Sequence, residues 1–452
     1  MKTMSVRKPA RVGALLIGVL LAAGYALGAF VHQFRSVRNS APNDFAIVSK
    51  ISTPADVRIQ TAQRVIEQHP HQPESYNLLA SAFMQKARET NDFGFNARAE
   101  AALGRSLEVA PDNYDALKLR ASLLLTHHRF AEALDLAQRL KTIRSDDHDV
   151  YGLLTDAQVE LGDYPAAIQA AQQMVNLRPD SSSYARVSYL RSLHGDGEGA
   201  IEAMTVAVKA TGPNDPEGAA WCRVHLGDEL MNSGKLTQAE LEYDRALLIF
   251  PEYPLALAAK ARARVRGGDL SGAVELYERA QARAPLPDSA IALGDLYAKL
   301  GRMNEAKRQY DLVEFIEQNS AAGGTYSRRL AMLWADHDLN LNQALAIVQR
   351  ERSVREDVFT CDALAWVLFK NKRLDEAKKS VAEALRLGTR DARIFYHAGM
   401  IYDGLGDHRS ATKYLKLAFA INPTFDVLQA DKARQTLRVN NHTPSNRPAR
   451  SV

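Results

Sequence analysis

Apolar and small residues recur along this chain on two scales. The first is a single uncharged run, Val12–Val31. The second begins after a polar stretch, 32–55, that contains Pro42 and Pro54. From there a short pattern returns: glycine, then a position that is usually apolar or aromatic two residues on, then alanine three residues later. It runs from Gly162 to Ala167, Gly195 to Ala200, Gly234 to Ala239, Gly268 to Ala273, Gly301 to Ala306 and Gly406 to Ala411. Versions without the glycine begin at Phe130, Leu341 and Leu374 and lead to Ala133, Ala344 and Ala377. With Ala99 at its head, the alanine series keeps a nearly constant spacing, with longer steps only before Ala239 and before Ala344. Pro111, Pro179, Pro251, Pro285 and Pro423 follow Ala99, Ala167, Ala239, Ala273 and Ala411 at one fixed offset.

Such a period predicts paired antiparallel helices over 59–438 and essentially no strand. Glycine takes the left-handed conformation cheaply and ends the first helix of a pair. Proline stops the second. Small residues such as Ala239, Ala246 and Gly227 let the two helices approach, and Tyr243 or Leu226 fills the gap to the next pair. One pair cannot bury its own face, so stacking has to supply the core.

This period and pattern resemble the tetratricopeptide repeat, a helix–turn–helix unit of about 34 residues. Unit 287–320 carries Leu293-Gly294, Tyr297, Gly301, Ala306 and Tyr310. Unit 220–253 carries Leu226-Gly227, Gly234, Ala239, Tyr243, Ala246 and Pro251, and unit 392–425 carries Gly399, Tyr402, Gly406, Ala411, Ala418 and Pro423. The resemblance implies an all-α, right-handed solenoid of about ten units over 56–425. A capping helix over 426–439 and a disordered tail over 440–452 follow. Three irregularities interrupt the phase: a long first unit around Asn91–Gly94, an insert at Thr211–Pro216, and another at Ala321–Gly324. The last two are candidate hinges.

Val12–Val31 is long enough, at about 1.5 Å per helical residue, to cross a bilayer core of roughly 30 Å. Lys2, Arg7, Lys8 and Arg11 precede it in the basic segment 1–11, and Arg35 and Arg38 follow. The positive-inside rule then puts the N-terminus in the cytoplasm and the repeats across the inner membrane, in the periplasm. A cleaved signal peptide ending at Ala26-Leu27-Gly28 is the alternative.

The formal net charge of +4 conceals an uneven distribution. Residues 1–58 carry +6 and residues 432–452 carry +5, so the stretch between them carries −7. An acidic body argues against nucleic acid, whose binding needs clustered cations. With only Cys222 and Cys361, far apart in the chain, a disulfide scaffold and a thiolate zinc cluster are excluded. No phosphate-loop, zincin or nucleophile-elbow motif is present. Gly195–Gly199 is glycine-rich but occupies a turn between helices, and His127-His128 fills another. The expectation is no enzyme, no cofactor and no metal.

In the family, positions 2, 5, 6, 9, 12 and 13 of each unit face an inner groove. The resemblance therefore implies a protein-binding groove of Arg186 and Tyr189, then Trp221 and His225, then Arg262 and Arg266. It continues through Phe359, Trp366 and Phe369 to Tyr396 and His397. Aromatic and arginine side chains dominate protein-recognition hot spots. The stripe Phe359, Asp362, Trp366 and Phe369 is expected to be accessible, because Leu364, Ala365 and Leu368 already supply the packing of that helix. A carboxylate clamp of the kind some members use is incomplete: Lys118 and Ser122 are followed by Gly152 and Asp156. The resulting expectation is a membrane-anchored scaffold for protein–protein interactions in assembling a cell-envelope complex, with self-association left open. A soluble periplasmic binder and an accessory subunit of an envelope enzyme or export system are the alternatives.

Overall fold

The computed structural model describes residues 53–320 and 328–442. The anchor expected at 12–31, the insert at 321–324 and most of the tail lie outside them. Contacts divide the chain after Val57, and the body considered below is the unit from Arg58 onward. The described residues form helices and no strand. Helix α1 (Pro54–Gln68) runs across the division. Then come α2 (Pro73–Thr90), α3 (Gly94–Val109), α4 (Tyr114–Thr126), α5 (Phe130–Ile143), α6 (His148–Glu160) and α7 (Tyr164–Leu177). They continue as α8 (Ser181–Leu193), α9 (Gly197–Lys209), α10 (Pro216–Asn232), α11 (Leu236–Ile249), α12 (Pro254–Arg266) and α13 (Leu270–Arg283). Next are α14 (Pro287–Lys299), α15 (Met303–Ser320), α16 (Arg328–Asp336), α17 (Leu341–Arg352), α18 (Val358–Lys370) and α19 (Leu374–Ala384). The series ends with α20 (Ala392–Gly404), α21 (His408–Ile421) and α22 (Gln429–His442), which begins slightly later than the expected cap at 426. From α2 to α21 the helices pair in sequence, one pair for each alanine of the series.

A recurring Gly-Asp dipeptide explains four of the turns between paired helices. Gly162, Gly195, Gly268 and Gly406 have φ between 77° and 86°, the left-handed region where a Cβ is costly. The aspartate that follows caps the next helix: Asp163, Asp196, Asp269 and Asp407 accept backbone N–H bonds from Ala166, Gly199, Gly272 and Ser410. That satisfies donors a helix start otherwise leaves open. Where the sequence lacks glycine, His128 and Lys372 take the same conformation, at φ 57° and 65°.

Every alanine of the series is at most 1% exposed. Beside them, a Cβ at Gly227 would lie 2.3 Å from the Tyr243 ring, and one at Gly294 2.5 Å from the Tyr310 ring. The small residue on the first helix is the seat for the tyrosine on the second. Ala239 and Ala306 are buried on the second helices, beside those tyrosines, and replacing either by leucine overpacks the interface between the paired helices at an expected cost of roughly 1–3 kcal/mol. Urea denaturation of each variant tests it, and wild-type midpoints in both would show that the interface between the paired helices is not close-packed.

The first unit is long, as its spacing predicts: α2 has 18 residues, α3 has 16, and Asn91 between them has φ 51°. The insert at Thr211–Pro216 becomes a turn with Asp215 capping α10, which is lengthened to 17 residues. Glu217 on that helix accepts from the Tyr253 hydroxyl at 2.7 Å and from Arg88 of α2 at 3.3 Å. This position is therefore tied at both sides rather than built as a free hinge.

The repeat array also closes on itself. The connector between α17 and α18 lies against α6 and α7, far earlier in the chain. The Glu356 N–H donates to the Glu160 carbonyl at 2.8 Å, and the Val358 N–H to the Tyr164 hydroxyl at 3.0 Å. Thr389 donates to the Leu193 carbonyl at 2.5 Å. Val358 joins Tyr164, Leu190 and Leu193 in one apolar cluster. At the C-terminal end, Gln429 donates to the Asp336 carbonyl and Lys299 pairs with Asp431.

Candidate functional site

On the first helices of the pairs, most of the expected cations are already engaged. Arg186 on α8 holds Asp156 on α6 through two nitrogens, at 2.8 and 2.6 Å. Arg262 on α12 holds Asp228 on α10 at 2.8 Å. Arg266 donates to the carbonyls of Met231 and Ile421. His397 on α20 meets both carboxylate oxygens of Asp362 on α18 at 2.9 and 3.0 Å. In these pairs a carboxylate on one first helix meets a cation or imidazole on the next. Stacked first helices put such positions side by side, so the charges join successive units.

Exposure then separates the candidates. Tyr189 is 43% exposed and the Arg262 side chain 44% exposed. Trp221 and His225 are half-buried, with ring centroids 4.0 Å apart. Burial holds the His225 imidazole below its ordinary pKa, which keeps that ring neutral near pH 7. Phe359 and Phe369 are half-buried as well.

The structure corrects the expectation of an accessible stripe around Trp366. Trp366 is 0% exposed, and Tyr396 and His397 are each 1% exposed. Leu364, Ala365 and Leu368 do join the α18/α19/α20 cluster, but the other side of α18 packs too. There the Trp366 ring stacks on His397 at 4.3 Å and on Phe369 at 5.2 Å. Its indole N–H donates to Asp336 at 2.8 Å. A first helix touches first helices on both sides as well as its own partner, and at Trp366 that second demand uses the aromatic. In a variant lacking Trp221 and Trp334, acrylamide should quench Trp366 at least several-fold less than free tryptophan. Quenching close to the free value would reopen the patch.

A cluster that the spacing argument missed sits where the array closes. Arg355, 7% exposed, holds Glu351 and Asp357 at 3.0 Å each, and also Glu160 across the closure. Arg328 reaches Asp357 and Thr360, and its backbone N–H donates to Glu351. Burial is the main cause that raises the Glu160 carboxyl, against the opposing pull of Arg355. Asp357 is lowered: burial opposes its charge, but Arg328, Arg355 and Thr360 outweigh that. The spacing of the repeats singles out none of Arg355, Glu356 and Asp357. The buried role of Arg355 depends on Glu160, which no local spacing brings near it. Next to this cluster, Thr155, Asp156, Glu160, Arg186 and Tyr189 line a cavity of about 110 Å³.

The tetratricopeptide-repeat family model matches residues 92–148, 225–289 and 259–322, and a second model of the same family matches 392–425. The chain therefore carries tetratricopeptide repeats. Helices α6 to α9, apart from His148, and α16 to α19 lie outside these matches and form pairs of the same kind. No curated protein matches the chain in sequence. Among solved structures it is similar to PilW, a type IV pilus biogenesis factor, with 16% identity and a TM-score of 0.38 over 49% of this chain and 97% of that one. It is similar to a tetratricopeptide repeat protein from Parabacteroides merdae, with 18% identity and a TM-score of 0.33 over 58% and 98%. A chain of the APC/C hetero-tetramer Cut9–Hcn1 has 14% identity and a TM-score of 0.34 over 87% and 98%. At these identities the likeness is one of fold.

Proposed function

We propose that this chain, built of tetratricopeptide repeats, is a membrane-anchored scaffold that binds protein segments during assembly of a cell-envelope complex. Its role in this reading is binding rather than catalysis. The anchor is the uncharged run 12–31, with its basic flank in the cytoplasm and the repeats in the periplasm. The observation that supports the binding surface is the exposure of Tyr189 on α8 and Arg262 on α12, with the half-buried Trp221–His225 ring pair on α10. Aromatic and arginine groups of this kind dominate measured interfaces.

Crosslinking mass spectrometry on the full chain in native membranes tests the reading. The expected result is a protein crosslinked through α8–α12, and Trp221→Ala should weaken its capture by about 2 kcal/mol while helicity is unchanged. No crosslinked protein, or capture indifferent to Trp221 and Tyr189 substitutions, would overturn it. Mass spectrometry of the mature N-terminus separates the retained anchor from a soluble periplasmic binder, which would start near Ala29.

A further inference from the structure

A second cavity, of about 190 Å³, opens between α16, α18 and α20. By the ~10–15 Å³ that one water needs, it has room for on the order of ten waters, or for a ligand of about that many heavy atoms. Its walls differ in chemistry. Arg328 and Arg393 supply guanidinium groups, Asp362 and Asp391 supply carboxylates, and Met332, Phe359, Ala363 and Ile394 supply apolar surface. Arg328 uses Nη1 on Asp357 and Thr360, and Arg393 uses Nη2 on Asp336. Each fork therefore has other N–H groups beyond these bonds. Asp391 caps α20 by accepting the N–H groups of Arg393 and Ile394.

His397 also lines this cavity. One face of its ring lies on Trp366 at 4.3 Å, and its Nδ1 is held by Asp362. The ε edge is what remains, and Nε2 is buried with no partner among the described residues. Buried polar atoms are nearly always satisfied, so such an atom calls for a partner from outside the chain. With Nδ1–H donating to a carboxylate, a neutral ring offers Nε2 as an acceptor. The acceptors Nε2, Asp362 and Asp391 suit a donor with several N–H bonds. The guanidinium groups suit a carboxylate, which planar forks bind in bidentate fashion. A lone anion would leave the acceptors facing negative charge, and a lone cation would face the arginines.

We propose that this cavity binds a free α-amino acid with an aliphatic side chain. The ammonium group donates to His397 Nε2 and the two aspartates, the carboxylate accepts from Arg393 and Arg328, and the side chain lies on Met332, Phe359 and Ile394. This site is independent of the protein-binding surface on α8–α12.

Isothermal titration calorimetry on the full chain in detergent, with leucine, isoleucine, valine and methionine, tests the proposal. At least one should bind with a Kd of 1 mM or below. The matching amide and N-acetyl derivatives, each lacking one charge, should bind at least tenfold more weakly. His397→Phe, which keeps a ring on Trp366, should weaken binding at least tenfold. Met332→Trp fills the cavity from its apolar side without touching a charge and should abolish binding, so a misfolded His397 variant leaves the proposal open to refutation. No binding of any of the four would overturn it and leave a water-filled cavity only; equal binding of the single-charge derivatives, or unchanged binding by Met332→Trp, would each overturn it as well.

Discussion

Gly195→Ala is expected to be among the most disruptive single-methyl changes in the repeats, at roughly 2–5 kcal/mol, from left-handed strain and overpacking together. Gly195 has φ 77°, and a Cβ there would lie 2.6 Å from the Gly388 carbonyl oxygen. The first effect, about 1–2 kcal/mol for an L-residue in that region, is shared by every turn glycine. The second is particular to the closure, because the obstructing atom is backbone and cannot rotate away. Relief requires the α19–α20 connector to move off α8, and the Thr389 bond to Leu193 would be lost with it. Gly301→Ala is the control: it has φ 78° and nothing within 4 Å of its added Cβ, so only the first effect applies. Urea denaturation gives the difference, and hydrogen exchange should locate the loss of protection in α8 and α20. Equal effects of the two substitutions would mean that the array does not close in solution.

Arg355→Ala should cost about 3–5 kcal/mol, as removing one partner from a buried ion cluster does. It leaves Glu351, whose side chain is 3% exposed, with only the Arg328 backbone N–H, leaves Asp357, 4% exposed, to Arg328 and Thr360, and releases Glu160 across the closure. Replacing Arg355, Glu351 and Glu160 together by methionine or leucine should recover most of the loss, since a dry apolar cluster leaves no charge unpaired. A triple variant as unstable as Arg355→Ala would show that the arginine stem, not its charge, holds the closure. The acid response follows from the two shifts. The Asp357 carboxyl is depressed below its ordinary 3.8, so its contribution is present above that value and is lost as pH falls through the lower folded one. The Glu160 carboxyl is raised above 4.5, so its ionisation opposes folding as pH rises through the folded value. Acid unfolding of the closure is therefore expected to track Asp357, and Asp357→Asn should flatten it.

The period was legible because it rests on contacts within one unit and its neighbour. Gly162 and Asp163 specify a turn and a cap through their own backbone, whatever lies elsewhere. Gly227 is small because Tyr243 is on the adjoining helix of the same unit. Pro251 stops α11 wherever that helix packs. These constraints repeat in every unit, so the sequence by itself determined an all-helical repeat array, its unit count and its turn chemistry. Trp366 shows where that reach ends. Its place on the inner stripe follows from spacing, but whether that stripe meets water depends on how far α20 leans over α18. This angle is set by side chains a unit away. Arg355 lies further still from local reasoning. A connector of mixed charge is solvated by default, and only the closing of the array onto Glu160, several units earlier, buries it. Which residues fill the inner face and which remain open is a property of superhelical rotation summed over several units. A small change per unit accumulates along the array, and no single repeat records the total.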